Sequence, residues 1–162
     1  FHKALMALKV RKKDGTPTSS AKKTRVLLTS AKGTPFSQQH AVRLSAYDRL
    51  IFLCGRYEGV DERLVEHLID EEISVGPYVL TGGELAALIV TDAVSRLRPG
   101  VLGKQESLAQ ESHTEAGLLE YPQYTRPEVY KAGKQEWLIP DILMTGDHKK
   151  IEAWRKAMMK KG

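Results

Sequence analysis

The chain of 162 residues carries 25 Lys and Arg against 20 Asp and Glu, a formal net charge of +5, and 41% of it is hydrophobic. That length supports one domain with its own core, and no apolar run is long enough to span a membrane. The single Cys54 excludes a disulfide framework and a multi-cysteine zinc site; no secretory signal is visible, so the expected location is cytoplasmic. Apolar runs predict short buried strands at 26–28, 50–53, 73–75 and 78–80. Helical spacing predicts helices at 2–10, 37–46, 61–68, 85–97 and 148–159. Strands interleaved with helices predict an α/β fold, a mostly parallel sheet flanked by helices. In the longest helix Leu85, Leu88, Ile89, Val94 and Leu97 form an apolar stripe. Before it, Thr81 and Glu84 have the spacing of a capping box, with Thr81 as the N-cap. Over 99–124 the periodicity fades into a polar, Gly-bearing stretch, the pattern of a mobile or lid-like loop. The opening Phe1, already inside helix-like sequence, reads as a piece of a longer protein.

Charge is unevenly distributed. Lys and Arg crowd residues 3–25 and 149–161, whereas Asp61, Glu62, Asp70, Glu71 and Glu72 make the middle acidic. A basic periphery around an acidic centre suits a polyanionic partner and a ligand without phosphate; solvated lysine-rich helix faces explain the charge equally well. Trp137 and Trp154 are expected as packing anchors, and Cys54, ending an apolar strand, as a structural thiol. No histidine spacing suggests a metal site.

Three turns share one design. Strand-like runs end in Thr29-Ser30-Ala31, in Gly55-Arg56-Tyr57-Glu58-Gly59, and in a segment bearing Gly76, Gly82 and Gly83. In open α/β sheets ligands sit beyond the carboxyl ends of the strands, and glycine lets backbone groups approach them. Neither a dinucleotide-binding glycine pattern nor a P-loop is present. Glu58, Asp61 and Glu62 would repel phosphate. A ligand with a purine edge, a ribose diol and a positive charge fits the remainder, and S-adenosyl-methionine has all three. Asp92 and Arg96, four apart on a helix, by themselves read as a surface pair worth a few tenths of a kcal/mol.

The segments "LCGRYEGVDERL", "EEISVGPYVLTGGELAAL", "DAVSRLRPGVLG", "GLLEYPQYTRPEVY" and "MTGDHKKIEAWR" resemble, in order, the bacterial tRNA (guanine-N1)-methyltransferases, a family of SPOUT-type methyltransferases. The resemblance implies one catalytic domain over 1–162, with a deep trefoil knot, acting as a homodimer. It also implies that a first strand and Gly-rich segment precede the chain and that a helical tRNA-binding domain follows it. Cofactor-binding positions carried over are Thr29, Ser30, Gly55, Arg56, Tyr57, Glu58, Ser74, Val75, Gly76, Tyr78, Val79, Leu80, Gly82 and Gly83. The implied reaction moves a methyl group from S-adenosyl-methionine to N1 of the guanine just 3′ of the anticodon. A base must take the N1 proton while a cation meets the charge growing on O6. The resemblance makes Arg96 the cation and a loop carboxylate the base. The family usually shows Asp-Ser and an aromatic residue where this chain has Glu111-Ser112-His113, and the spacing to "GLLEYP" is one residue longer. Glu111 is the expected base, with Glu115 as the fallback, and Arg126 is expected to face tRNA. Magnesium is implied by the resemblance alone. The alternative is a knotted RNA-binding or assembly module without catalysis.

Overall fold

The computed structural model describes residues 1–56, 59–102, 112 and 118–161. The chain divides into two compact units, Phe1–Gly103 and Lys104–Gly162.

The first unit is built on a three-stranded parallel sheet of β1 (Thr24–Pro35), β2 (Arg49–Cys54) and β3 (Glu71–Ser74), in the order β2-β1-β3. Parallel neighbours need crossovers, and helices supply them. These are α2 (Gln38–Ser45) between β1 and β2, and α3 (Glu62–Leu68) between β2 and β3; α1 (His2–Ala7) precedes the sheet and α4 (Glu84–Ser95) follows it. Strand alternation sends Val26 and Leu28 to one face, where they pack with Leu5, Val10, Leu53 and Leu68. Leu27 points the other way, packing with Ala41, Leu44, Ile73, Val90 and Val94. Helices therefore cover both faces, as a buried parallel sheet requires.

Asp61 starts α3 as its N-cap, its carboxylate accepting from the Arg63 backbone N–H. With Arg63 also donating to it from the side chain, that carboxyl is held down to about 2. The amino-terminal segment is docked by Arg11, which is buried. Its guanidinium donates to the Leu68 carbonyl at 3.0 Å and to Asp70 at 2.7 Å, while Asp70 accepts from the Val26 backbone N–H.

In the second unit β4 (Leu118–Leu119) pairs antiparallel with β7 (Lys160–Lys161), and β5 (Val129–Ala132) with β6 (Gln135–Leu138); α5 spans His148–Met158. The β5–β6 hairpin turns through Gly133 at φ 64°, the left-handed backbone that glycine takes without strain.

Five sequence expectations need correction. Residues 78–80 form no strand: Val79 is 87% exposed, on a segment bending across the end of the sheet. Thr81 does not cap α4; Gly83 is its N-cap, and the Glu84 carboxylate accepts from Arg56 instead. The apolar stripe of α4 is split. Small Ala86 and Val90, with Val94, face the sheet, whereas Leu85, Leu88 and Ile89 are 61%, 63% and 47% exposed. Trp137 is no core anchor: it is exposed on the hairpin, stacked on Tyr130 at 5.5 Å between ring centroids. Helix α1 ends at Ala7, short of the expected residue 10, because Lys9 takes φ 57°.

Candidate active site

β1 does not simply end at the carboxyl edge of the sheet. It pairs with Ile73 twice, through Thr29 and again through Thr34, so residues 30–33 bulge outward between the two contacts. The bulge presses against β3 at Gly33, where an added Cβ would lie 2.6 Å from the Ile73 backbone nitrogen. The segment before α4 then crosses the end of β2. Arg56 bridges to Gly82, and the Gly83 N–H donates to the Gly55 carbonyl at 3.3 Å. At Gly83 a Cβ would overlap Thr29 Oγ1 and stand 2.9 Å from Cys54 Cα. Glycine is needed at both crossings because backbone occupies the space a side chain would take.

The three loops enclose a cavity of about 500 Å³, a volume ordinary for small-molecule sites. Every described cofactor-binding candidate lines it: Thr29 and Ser30 from the first loop, Gly55 and Arg56 from the second, and Ser74, Val75, Gly76, Tyr78, Val79, Leu80, Gly82 and Gly83 from the third. Tyr57 and Glu58 lie outside the described residues. Sequence reasoning missed Lys32, Val60, Val65 and Glu72, which line it too. Val60 and Val65 carried no signal beyond apolarity, whereas Lys32 lies one residue past the first turn and Glu72 two before Ser74.

The electrostatics disfavour phosphate. Among the described residues, both cations of the lining are engaged by carboxylates. Lys32 Nζ donates to Glu62 Oε2 at 2.6 Å, which raises its pKa, and Arg56 donates twice to Glu84 Oε1 at 2.7 and 2.9 Å. In the wall the Ser74 hydroxyl donates to the Gly76 carbonyl and accepts from its N–H, shaping the third loop. Thr29 Oγ1 donates to the Leu53 carbonyl at 3.4 Å, and burial pushes the Cys54 thiol up, which suits a structural thiol. A glycine-lined cavity with a free carboxylate oxygen at Glu72 fits a phosphate-free ligand carrying hydrogen-bond donors.

Arg96 is the C-cap of α4 and half-buried; it does not line the cavity. Gly83 stands at the other end of that helix, on the order of 20 Å away at 1.5 Å per residue. Glu111 and Glu115 lie outside the described residues, but Ser112 is described: its hydroxyl accepts from the Glu120 backbone N–H at 2.9 Å. Arg126 is exposed in the second unit. Among the described residues no group of three or more His, Cys, Asp or Glu could hold a metal ion, and no helix is long and apolar enough to cross a membrane.

Comparison with known proteins gives the same direction as the cavity. The chain is 52% identical over 134 residues to the tRNA (guanine-N(1)-)-methyltransferase of Brevibacillus brevis, covering 83% of this chain and 53% of that protein. It is 53% identical over 132 residues to the protein of the same name from Staphylococcus aureus strain JH9, covering 82% and 52% respectively. The chain thus spans about half the length of the curated relatives it matches. The family model described as tRNA (Guanine-1)-methyltransferase TrmD matches residues 4–161, and the chain belongs to that family.

Proposed function

We propose that this chain carries the S-adenosyl-methionine-binding core of an enzyme that methylates N1 of the guanine just 3′ of the anticodon in tRNA. The observation that carries this reading is the convergence of three loops, closed by Gly33 and Gly83, on one cavity whose cations are already neutralised. Bound there, S-adenosyl-methionine supplies a methyl group made electrophilic by its sulfonium. Glycine backbone of the third loop serves the adenine edge, and the bulge at 30–33 closes one side. Threading of the segment around Gly82 and Gly83 past β2 is the trefoil knot of the family, an exception to the rule against threaded chains.

Two features support a homodimer. Leu85, Leu88 and Ile89, at i, i+3, i+4 spacing, leave an apolar stripe on α4 exposed. Arg96 stands a whole helix away from its own cavity. Packing α4 against its copy across a two-fold axis covers the stripe and brings Arg96 of the partner subunit toward the cavity. Arg96 there meets the negative charge that grows on guanine O6. Glu111 takes the N1 proton, and the N1 lone pair attacks the methyl carbon as the C–S bond breaks and its electrons return to sulfur, leaving a neutral thioether. Arg126 and the basic residues of α5, Lys149, Lys150, Arg155 and Lys156, serve the tRNA backbone, so binding weakens steeply with salt.

Methyl transfer to unmodified tRNA, with a guanine-to-adenine variant at that position as control, tests the reading. Transfer to the first and none to the second is expected. Glu111→Gln is expected to abolish turnover while S-adenosyl-methionine binding, read by calorimetry, persists; full methylation by the variant would remove Glu111 from the mechanism. Adding a chelator to the same assay reads a magnesium requirement. The glutamate in place of the family's usual aspartate favours a second reading, a knotted RNA-binding module without chemistry. Tight tRNA binding with no transfer would select it.

A further inference from the structure

Among the described residues, Glu72 is the one charged wall residue to which neither the fold nor the proposed chemistry assigns a task. It sits on β3 in register with Leu28, on the face of the sheet that packs against apolar side chains. Its neighbour Glu71 points to the opposite face, and its carboxylate accepts from both Arg25 and Arg43. Glu72 Oε1 is buried with no hydrogen-bond partner, and the residue lines the cavity. Burying an acceptor without a donor costs stability, so such an atom calls for an explanation.

A nearby cation does not supply one. The Lys32 ammonium donates to Glu62 at 2.6 Å and senses Glu72 only through space. That positive charge already lies beside Glu72, which makes a second cation a poor neighbour and a neutral O–H or N–H a good one. Of the neutral donors on an S-adenosyl group, the adenine amine suits the backbone carbonyls of the glycine-bearing loop. The ribose diol remains, and a carboxylate on the cavity wall is a suitable acceptor for it.

We infer that Glu72 Oε1 accepts a hydrogen bond from a ribose hydroxyl of the cavity's occupant, so that the fold holds an unpaired oxygen for its ligand. The inference rests on the proposed S-adenosyl-methionine site and names a contact within it. Two readouts test it, neither of which depends on turnover. Calorimetry compares S-adenosyl-homocysteine with its 2′-deoxy and 3′-deoxy analogues on wild type, Glu72→Gln and Glu72→Leu. Wild type is expected to lose about tenfold in affinity for one of the two analogues. Glu72→Leu is expected to bind the parent ligand about tenfold more weakly and to lose that discrimination, with Glu72→Gln between the two. Thermal melting without ligand is expected to place Glu72→Leu at or above wild type, because an orphaned buried oxygen has been removed. Wild-type affinity in both variants, undiminished discrimination, or a markedly lower melting temperature for Glu72→Leu would overturn the inference and leave the site standing. No uptake of S-adenosyl-homocysteine by the wild type would remove the site and the inference together.

Discussion

The two units hold their shape by different means. In Phe1–Gly103 the sheet is covered on both faces, and Leu5, Val10, Val26, Leu27, Leu44 and Val90 are fully buried. Among the described residues of Lys104–Gly162 none is buried; its hairpin rests on a Tyr130–Trp137 ring stack, and α5 on an Asp147 cap donated to by the Lys150 N–H. The difference teaches where precision resides. A cavity wall made of crossing backbones inherits its accuracy from a close-packed core. A surface built from local turns and caps is cheap to alter and suits a backbone-following contact with a polyanion.

The sharpest way to break that comparison is to place the same methyl group in each unit. Gly33→Ala sets a Cβ 2.6 and 2.7 Å from the backbone of Ile73 and Glu72 and is expected to cost about 3 kcal/mol. Gly133→Ala meets nothing within 4 Å and is expected to cost about 1 kcal/mol, from its positive φ alone. Urea denaturation measures both, and similar costs would contradict the distinction drawn here. A smaller effect is expected from the acid limb of stability. The carboxyl of Glu71 is held below its ordinary range by hydrogen bonds from Arg43 and then Arg25. Because the folded value is the lower one, its contribution is complete above the unfolded value and is lost as pH falls through the folded value. Glu71→Gln should therefore flatten the loss of stability below about pH 4.5, by less than about 1 kcal/mol because one partner is half exposed. Denaturation midpoints from pH 3 to 7 give the slope, and an unchanged slope would sever Glu71 from acid stability.

Much of the first unit was legible in the sequence because its signals are local. Apolar runs at 26–28 and 50–53, set between helix-like segments, predicted strands that β1 and β2 carry, and Asp61 before a periodic stretch marks a helix start. Turns after three strand-like runs pointed to one cavity, and their described residues do line it. What escaped was decided by tertiary contacts. Tyr78, Val79 and Leu80 have strand propensity, yet among the described residues no strand pairs with them. Leu88 and Ala86 are both apolar, and only the close approach of α4 to the sheet selects the smaller for the inside. Glu71 and Glu72 are identical as letters. Alternation along β3 gives one two arginines and leaves the other with an oxygen unmatched. The β5–β6 hairpin was missed because its strands are short and exposed, and Lys131, Gln135 and Glu136 interrupt any apolar run that would announce them.

Hydrogen–deuterium exchange with and without S-adenosyl-homocysteine tests the central claim most directly. The account predicts simultaneous protection of three separate segments, around Thr29 to Lys32, around Gly55 and Arg56, and from Ser74 to Gly83, with the 129–138 hairpin unchanged. Protection confined to one of those segments, or falling on the hairpin instead, would contradict a single cavity made by all three.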